Sequence, residues 1–203
     1  ADDITNTSSG NINVRGSHNI GMRVDKGSVN TDASGAPKAI NNGAITLNGG
    51  STETDNIGMV ANGASVATNN NKITLVGPAK LATGMLATGN GGTVENASGG
   101  NISGTGLENS IGISVLSAST GTNVGKINLD GKSVTGVYND AGTFNMTAGT
   151  LNTSGNKAIT LYAKGTGTST NITGGTVSAG NGSVGLYADN STVNISSPAV
   201  LEA

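Results

Sequence analysis

The sequence predicts an all-β protein, a right-handed parallel β-helix solenoid with three short strands per rung and about seven to eight rungs. Two observations favour this fold: a strand-like motif recurs along the chain, and large apolar side chains are too few to fill a thick core. Of the 203 residues, 34 are Gly, 2% are aromatic and 11% are charged. The net charge of -2 does not favour disorder, so a thin core wrapped by many short turns fits this composition.

The clearest repeat is a five-residue motif: a small or β-branched residue, then Gly, an aliphatic residue, one further residue and an Ala or Val. Its copies occupy residues 20–24, 57–61, 83–87, 111–115, 135–139, 159–163 and 184–188. Such a short alternation of apolar and polar residues is typical of a half-buried strand. We therefore expect the residues that flank the Gly to face the core, and the Gly and the residue two positions later to face outward.

Two further columns of apolar residues fall between the copies of this motif. One column is predicted to contain Val29, Val66, Val94, Val124, Phe144, Ile172 and Val193. The other is predicted to contain Ile45, Ile73, Ile102, Ile127, Leu151, Val177 and Val200. Residues 10–14 match 125–129 and add a partial rung. Each strand then pairs with its equivalent in the next repeat, which builds three parallel sheets, and the usual hand of parallel crossovers predicts a right-handed coil.

The chain is predicted to be a single β-helix segment over residues 1–203. The longest gap between motifs contains residues 31–38, which read as a projecting loop. Neither end carries the atypical polar repeat that normally caps a solenoid, and the first residues show no signal peptide. We therefore expect this sequence to be part of a longer protein.

Residues suited to catalysis are few and scattered. The carboxylates of Asp25, Asp55, Asp130, Asp140 and Asp189 stand at different offsets from the repeat and read as solvated turn residues. His18 is the one histidine, and cysteine is absent, so no catalytic triad is expected. We expect no catalytic residue, no metal site and no cofactor, and the chain is not expected to be an enzyme.

The candidate ligand-binding residues are Tyr138, Tyr162 and Tyr187, the three tyrosines of the chain. Each lies two positions after the second residue of its motif, so the three are expected to line up on one outer face. One interpretation is a stacking ladder that keeps neighbouring rungs in register. The other is a platform for a ligand, bordered by bare backbone at Gly136 and Gly185.

The segments GVYN (136–139), GTFNM (142–146) and GLYAD (185–189) resemble passenger domains of large bacterial autotransporters. Among these, the segments resemble passengers of fusobacterial outer-membrane adhesins. The resemblance covers the whole chain and implies a passenger on the bacterial cell surface, anchored at the outer membrane through a C-terminal β-barrel outside this sequence, or released. The partners it implies are host glycans, host protein receptors or other bacteria. It identifies no binding residue here.

The leading functional hypothesis is an adhesin passenger, with a structural spacer rod as the alternative and a carbohydrate-active enzyme as a third. An ice-binding solenoid would need a regular threonine array. The outward column is instead irregular, and contains Thr46, Thr74, Ser103, Asn128, Asn152 and Ser178. Nucleic acid is not an expected partner, because the chain has no basic stripe.

Overall fold

The computed structural model describes residues 3–26, 35–50, 52 and 54–203, which form short strands joined by turns. In chain order the strands are β1 (Ile4–Asn6), β2 (Asn11–Val14), β3 (Ile20–Asp25), β4 (Lys38–Asn41), β5 (Ala44–Asn48), β6 (Ile57–Asn62), β7 (Val66–Asn69), β8 (Lys72–Val76), β9 (Thr83–Thr88), β10 (Thr93–Asn96), β11 (Asn101–Glu108), β12 (Ile111–Leu116), β13 (Thr120–Asn123), β14 (Lys126–Lys132), β15 (Thr135–Asp140), β16 (Thr143–Met146), β17 (Thr150–Ser154), β18 (Ala158–Lys164), β19 (Ser169–Ile172), β20 (Thr176–Ala179), β21 (Ser183–Asp189), β22 (Thr192–Ile195) and β23 (Val200–Glu202). In this described part of the chain, no helix is long and apolar enough to cross a membrane.

Every third strand belongs to the same parallel sheet, which confirms the predicted parallel β-helix with three strands per rung. Sheet A contains every third strand from β1 to β22. Sheet B contains every third strand from β2 to β23, and sheet C every third strand from β3 to β21. The sheets contain eight, eight and seven strands. The first and last strands of each described sheet have a neighbour on one side only. About six turns of the solenoid are therefore paired on both sides, slightly fewer than the seven to eight rungs predicted. The right-handed coil stays a prediction.

The core columns of sheets B and C largely match the sequence prediction. In sheet B, Ile45, Ile73, Ile102 and Ile127 are aligned and fully buried. The segment 10–14 adds its expected rung, since Ile12 pairs with Ile45. One position was predicted wrongly: Leu201, not Val200, pairs with Val177. Val200 and Leu201 are both exposed in this last strand. Burial therefore does not determine which of the two belongs to the core column.

The predicted orientation of the motif glycine was wrong, because this residue faces the core. Gly58 is buried, and a Cβ there would lie 2.5 Å from the carbonyl oxygen of Gly84 and 3.0 Å from Cγ2 of Ile73 in sheet B. The next residue, Met59, is buried as well, so two consecutive residues face inward and interrupt the period-two alternation. The isoleucine column of sheet B therefore occupies the space that a motif side chain would need.

One rung replaces the motif glycine with Thr160, which is fully buried. Its Oγ1 lies 2.8 Å from Oγ1 of Thr153, another fully buried residue, which occupies the sheet B position of Leu129 in the previous rung. Thr160 Oγ1 also donates to the carbonyl oxygen of Ser178. The smaller, polar Thr153 thus makes room for the extra hydroxyl and satisfies it.

The predicted apolar column of sheet A combined residues from different registers. Val94, Phe144 and Val193 are aligned in the core column, but Val66 pairs one position away and Ile172 two positions away. Val124 lies in a turn after β13, and Val29 lies outside the described residues. The true column of sheet A is hard to detect, because Ala, Gly and Thr share it with the larger residues.

A ladder of buried asparagines runs along the inner edge of sheet A and was not predicted. Each Nδ2 donates to the Oδ1 of the next asparagine at 2.8 Å, and the ladder contains Asn6, Asn41, Asn69, Asn96 and Asn123. The last four are fully buried. Met146 and Ile172 continue the column without a hydrogen bond. Since a buried amide needs partners, this asparagine ladder links five rungs in one register.

The predicted projecting loop at 31–38 is described in part. Lys38 is the first residue of β4, so the loop ends earlier than predicted. The carbonyl oxygen of Pro37 accepts a hydrogen bond from the amide of Val66, which ties this segment to the stack. Positions 31–34 lie outside the described residues.

Candidate functional site

The three tyrosines are aligned on the outer side of sheet C, in β15, β18 and β21, as predicted. Tyr138 pairs with Tyr162, and Tyr162 pairs with Tyr187. The ring centroids are 5.4 Å and 5.0 Å apart, and the ring planes are inclined by 71° and 68°. Rung spacing brings the rings close, and the edge-to-face arrangement is one that aromatic pairs prefer. We call this column the tyrosine face.

The tyrosine face is most exposed at β21, the end strand of the described sheet C, which pairs on one side. Tyr138 and Tyr162 are half-buried, whereas Tyr187 is 48% exposed. On the same outer side, Ile159 is half-buried and its register partner Val184 is 47% exposed. The exposure of Tyr187 and Val184 reflects their place in this end strand, whereas the outward direction of the rings is shared by all three rungs.

A line of charged residues borders the tyrosine face. Asp140 pairs with Lys164, which pairs with Asp189. The Tyr138 hydroxyl donates to Oδ2 of Asp140 at 2.9 Å, and Nζ of Lys164 lies 4.0 Å from the same oxygen. Burial, followed by the hydrogen bond to Asp140 and its negative charge, raises the pKa of Tyr138 to about 12. This hydroxyl therefore stays neutral and donates at physiological pH.

The bare backbone expected beside the tyrosines does not exist as predicted. Gly136 is buried, and a Cβ there would lie 2.5 Å from the carbonyl oxygen of Thr160 in the next rung. It faces the core and offers no surface to a ligand. A ligand on the tyrosine face would meet side chains, not a strip of exposed peptide groups.

The scattered ionisable residues lie in small surface pairs. Nδ1 of His18 lies 3.5 Å from Oδ2 of Asp55, and both side chains are well exposed. Asp25 accepts hydrogen bonds from Arg23 at 2.7 Å and 2.9 Å and from Asn62 at 2.6 Å, and the bond to Arg23 is the main cause that lowers the pKa of its carboxyl. Over the described residues, no group of three or more His, Cys, Asp or Glu is placed to hold a metal ion.

Asp130 was predicted in a turn but lies in β14; it and Glu108, the last residue of β11, have partners along the rod. Ser154 donates a hydrogen bond to Oδ1 of Asp130 in the rung before. Glu108 lies between two lysines, 3.2 Å from Nζ of Lys80 and 3.8 Å from Nζ of Lys132. These contacts join neighbouring rungs and stabilise them modestly, since all the charged groups are partly exposed.

Sequence reasoning missed a concave stretch on the outer side of sheet B, which we call the sheet B groove. Two adjoining concavities of about 590 Å³ and 450 Å³ form it, and both include Ser103 and Asn128. The residues of its floor belong to the outward column already identified by its hydroxyl and amide side chains. Their alternation indicated only that they face solvent, because curvature depends on the turns beside the sheet.

Comparison of the chain with protein-family models, with curated proteins and with solved structures finds no match in any of the three.

Proposed function

We propose that this chain is a segment of a bacterial cell-surface adhesin, anchored at the outer membrane or released, that attaches to host cells or to other bacteria. The solenoid serves as a rod, and the tyrosine face is its contact surface. The observation that carries the proposal is the column of three aligned tyrosine rings on the outer side of sheet C, beside the charged line of Asp140, Lys164 and Asp189. Contiguous exposed apolar groups are typical of interaction sites.

The partner that fits this surface is a host glycan or a protein receptor. Aromatic rings offer large apolar contact area with few rotatable bonds, and the C–H faces of sugar rings or apolar side chains can pack on them. The flanking carboxylates and the lysine provide hydrogen-bonding groups at the rim. In this proposal the segment has no catalytic role and takes no cofactor.

A bead adhesion assay tests the proposal. Beads coated with the chain are added to epithelial cells and to bacteria, and the bound beads are counted. Replacing all three tyrosines with Ser is expected to lower binding about tenfold or more, because losing three apolar contacts removes over 1.4 kcal/mol. Serine is compatible with this column, because Ser114 pairs with Tyr138 in the previous rung.

The matched control is Leu86→Ser, in the same outward column two rungs earlier, which should leave adhesion unchanged. A triple Tyr→Phe variant keeps the rings and separates their packing from the hydroxyls. Adhesion that survives the triple Ser change in a folded protein would refute the role of the tyrosine face.

A spacer rod is the second candidate, and a specific observation favours it. The tyrosines pack edge to face on each other, and Tyr138 is hydrogen-bonded to Asp140, as expected of a ladder that holds register. If this is their role, the triple Ser variant should lose thermal stability while adhesion per folded molecule stays the same.

A further inference from the structure

The sheet B groove lies on a different outer face from the tyrosine face. Its floor is the outward column of sheet B, where Thr74, Ser103, Asn128, Asn152 and Ser178 are aligned in consecutive rungs. The groove therefore runs along the rod axis and repeats about every 4.8 Å.

Several polar groups of the floor have no partner within the described part of the protein. Among the described residues, the hydroxyls of Ser103 and Ser178 make no hydrogen bond within the protein, and neither does Nδ2 of Asn128. One contact links the floor, in which Asn152 Nδ2 donates to Asn128 Oδ1 at 2.8 Å. These side chains can therefore donate to and accept from a ligand without breaking bonds within the fold.

Elsewhere on the rod, aligned asparagines are bonded to each other over consecutive rungs. On the outer side of sheet A, Asn194 donates to Asn171 and Asn171 donates to Asn145, at 3.0 Å and 3.1 Å. The mixture of Ser, Thr and Asn in the sheet B groove prevents a comparable continuous ladder. Its hydrogen-bonding capacity is directed outward instead.

The walls of the groove decide the charge and shape of its ligand. Lys126 and Glu202 also line it, so cationic and anionic charge offset each other and a polyanion gains little. At one end Val76, which is 38% exposed, and Pro78 form an apolar wall. A ligand with many hydroxyls, no charge and apolar C–H surfaces meets each of these features.

We propose that the sheet B groove binds an extended neutral glycan that lies along the rod axis. The ring hydroxyls exchange hydrogen bonds with the free Ser, Thr and Asn side chains of successive rungs. The C–H surface of one sugar packs on Val76 and Pro78. This site does not depend on the tyrosine face, and either site can fail without the other.

Affinity electrophoresis tests the proposal with defined polymers. The chain is run through gels that contain dextran, mannan, galactomannan or hydroxyethyl cellulose, with polygalacturonate as the anionic probe. At least one neutral polymer should retard the chain. The double variant Ser103→Ala/Asn128→Ala should weaken that retardation about tenfold or more, because two hydrogen-bonding side chains are lost.

A second variant tests the site by filling it. Asn128→Arg places a bulky cation on the floor, so retardation by the neutral polymer should be lost. The matched control is Thr122→Arg in β13, an outward position of sheet A in the same rung, which should be retarded like the unaltered chain. Circular dichroism and thermal unfolding of each variant establish that the fold is retained, since both positions face outward.

Three results would overturn the proposal. No neutral polymer retards the chain; retardation survives both groove variants; or polygalacturonate is the only polymer that retards it. Loss of retardation in the triple Tyr→Ser variant alone would assign the glycan to the tyrosine face instead.

Discussion

Replacing Asn96 with Ala tests whether the asparagine ladder holds the rungs of sheet A together. In the folded protein, Asn96 Nδ2 donates to Asn123 Oδ1 at 2.8 Å and to the carbonyl oxygen of Lys126 at 3.1 Å. Its Oδ1 accepts from Asn69 Nδ2 at 2.8 Å. The change removes all of these bonds at a fully buried position.

The expected cost follows from the groups left behind. A buried polar group that loses its partner costs about 1–3 kcal/mol. Asn123 Oδ1 loses its ladder donor, whereas Asn69 Nδ2 keeps a bond to the carbonyl oxygen of Asn71 at 3.0 Å. The free energy of unfolding should therefore fall by about 1–3 kcal/mol. For a chain of this size the corresponding drop in Tm is about 2–12 °C.

The matched control is Asn70→Ala. Asn70 Nδ2 donates to Asn42 Oδ1 at 2.8 Å, the same distance, but this pair is exposed to solvent. Water replaces the lost partner, so the cost should stay within about 0.5 kcal/mol. Urea unfolding of both variants measures the difference. If Asn96→Ala destabilises the chain no more than Asn70→Ala does, the ladder is not a source of stability and the reasoning is wrong.

The inward-facing glycines and the hydrogen-bonded hydroxyl of Tyr138 lead to two more predictions. Gly58→Ala should destabilise the protein by about 1–3 kcal/mol in thermal unfolding, because the new Cβ meets backbone atoms. The control is Gly185→Ala, whose Cβ would meet one atom at 3.7 Å. It should cost less than about 0.5 kcal/mol. Equal losses of stability in the two variants would contradict the inward orientation of Gly58. In a spectrophotometric titration Tyr138 should ionise near pH 12, and Asp140→Asn should lower this pKa. Because the pKa of Tyr138 is higher in the folded than in the unfolded protein, its contribution to stability is complete below about pH 10. That contribution disappears as the pH rises through 12.

Periodicity predicted the columns that are filled by large apolar residues. The isoleucines of sheet B and the third motif residues of sheet C, such as Met59 and Leu161, are aligned as expected. The alignment of the tyrosines followed from the same register. Periodicity succeeds at these positions because a large apolar side chain in a thin solenoid leaves water only by facing the core.

The errors occur where side chains carry little hydropathic signal. A glycine has no side chain to reveal its direction, so alternation placed Gly58 and Gly136 on the wrong side. In sheet A the inward positions are often Ala, Gly, Thr or Asn, and the search for large apolar residues selected Val66 and Val124 instead. Comparing residues 66–69, 93–96 and 120–123 would have revealed the asparagine column.

The sequence by itself determined the repeat, the three strands per rung, the parallel stacking and the tyrosine column, because each follows from which side chains must leave water and at what period. Tertiary structure decided which face each motif glycine occupies, how Thr153 and Thr160 are paired, and where the sheet B groove lies. These features depend on contacts between different strands of one rung and on the turns that flank a sheet. A pattern along one strand contains no information about the space that another strand leaves for it.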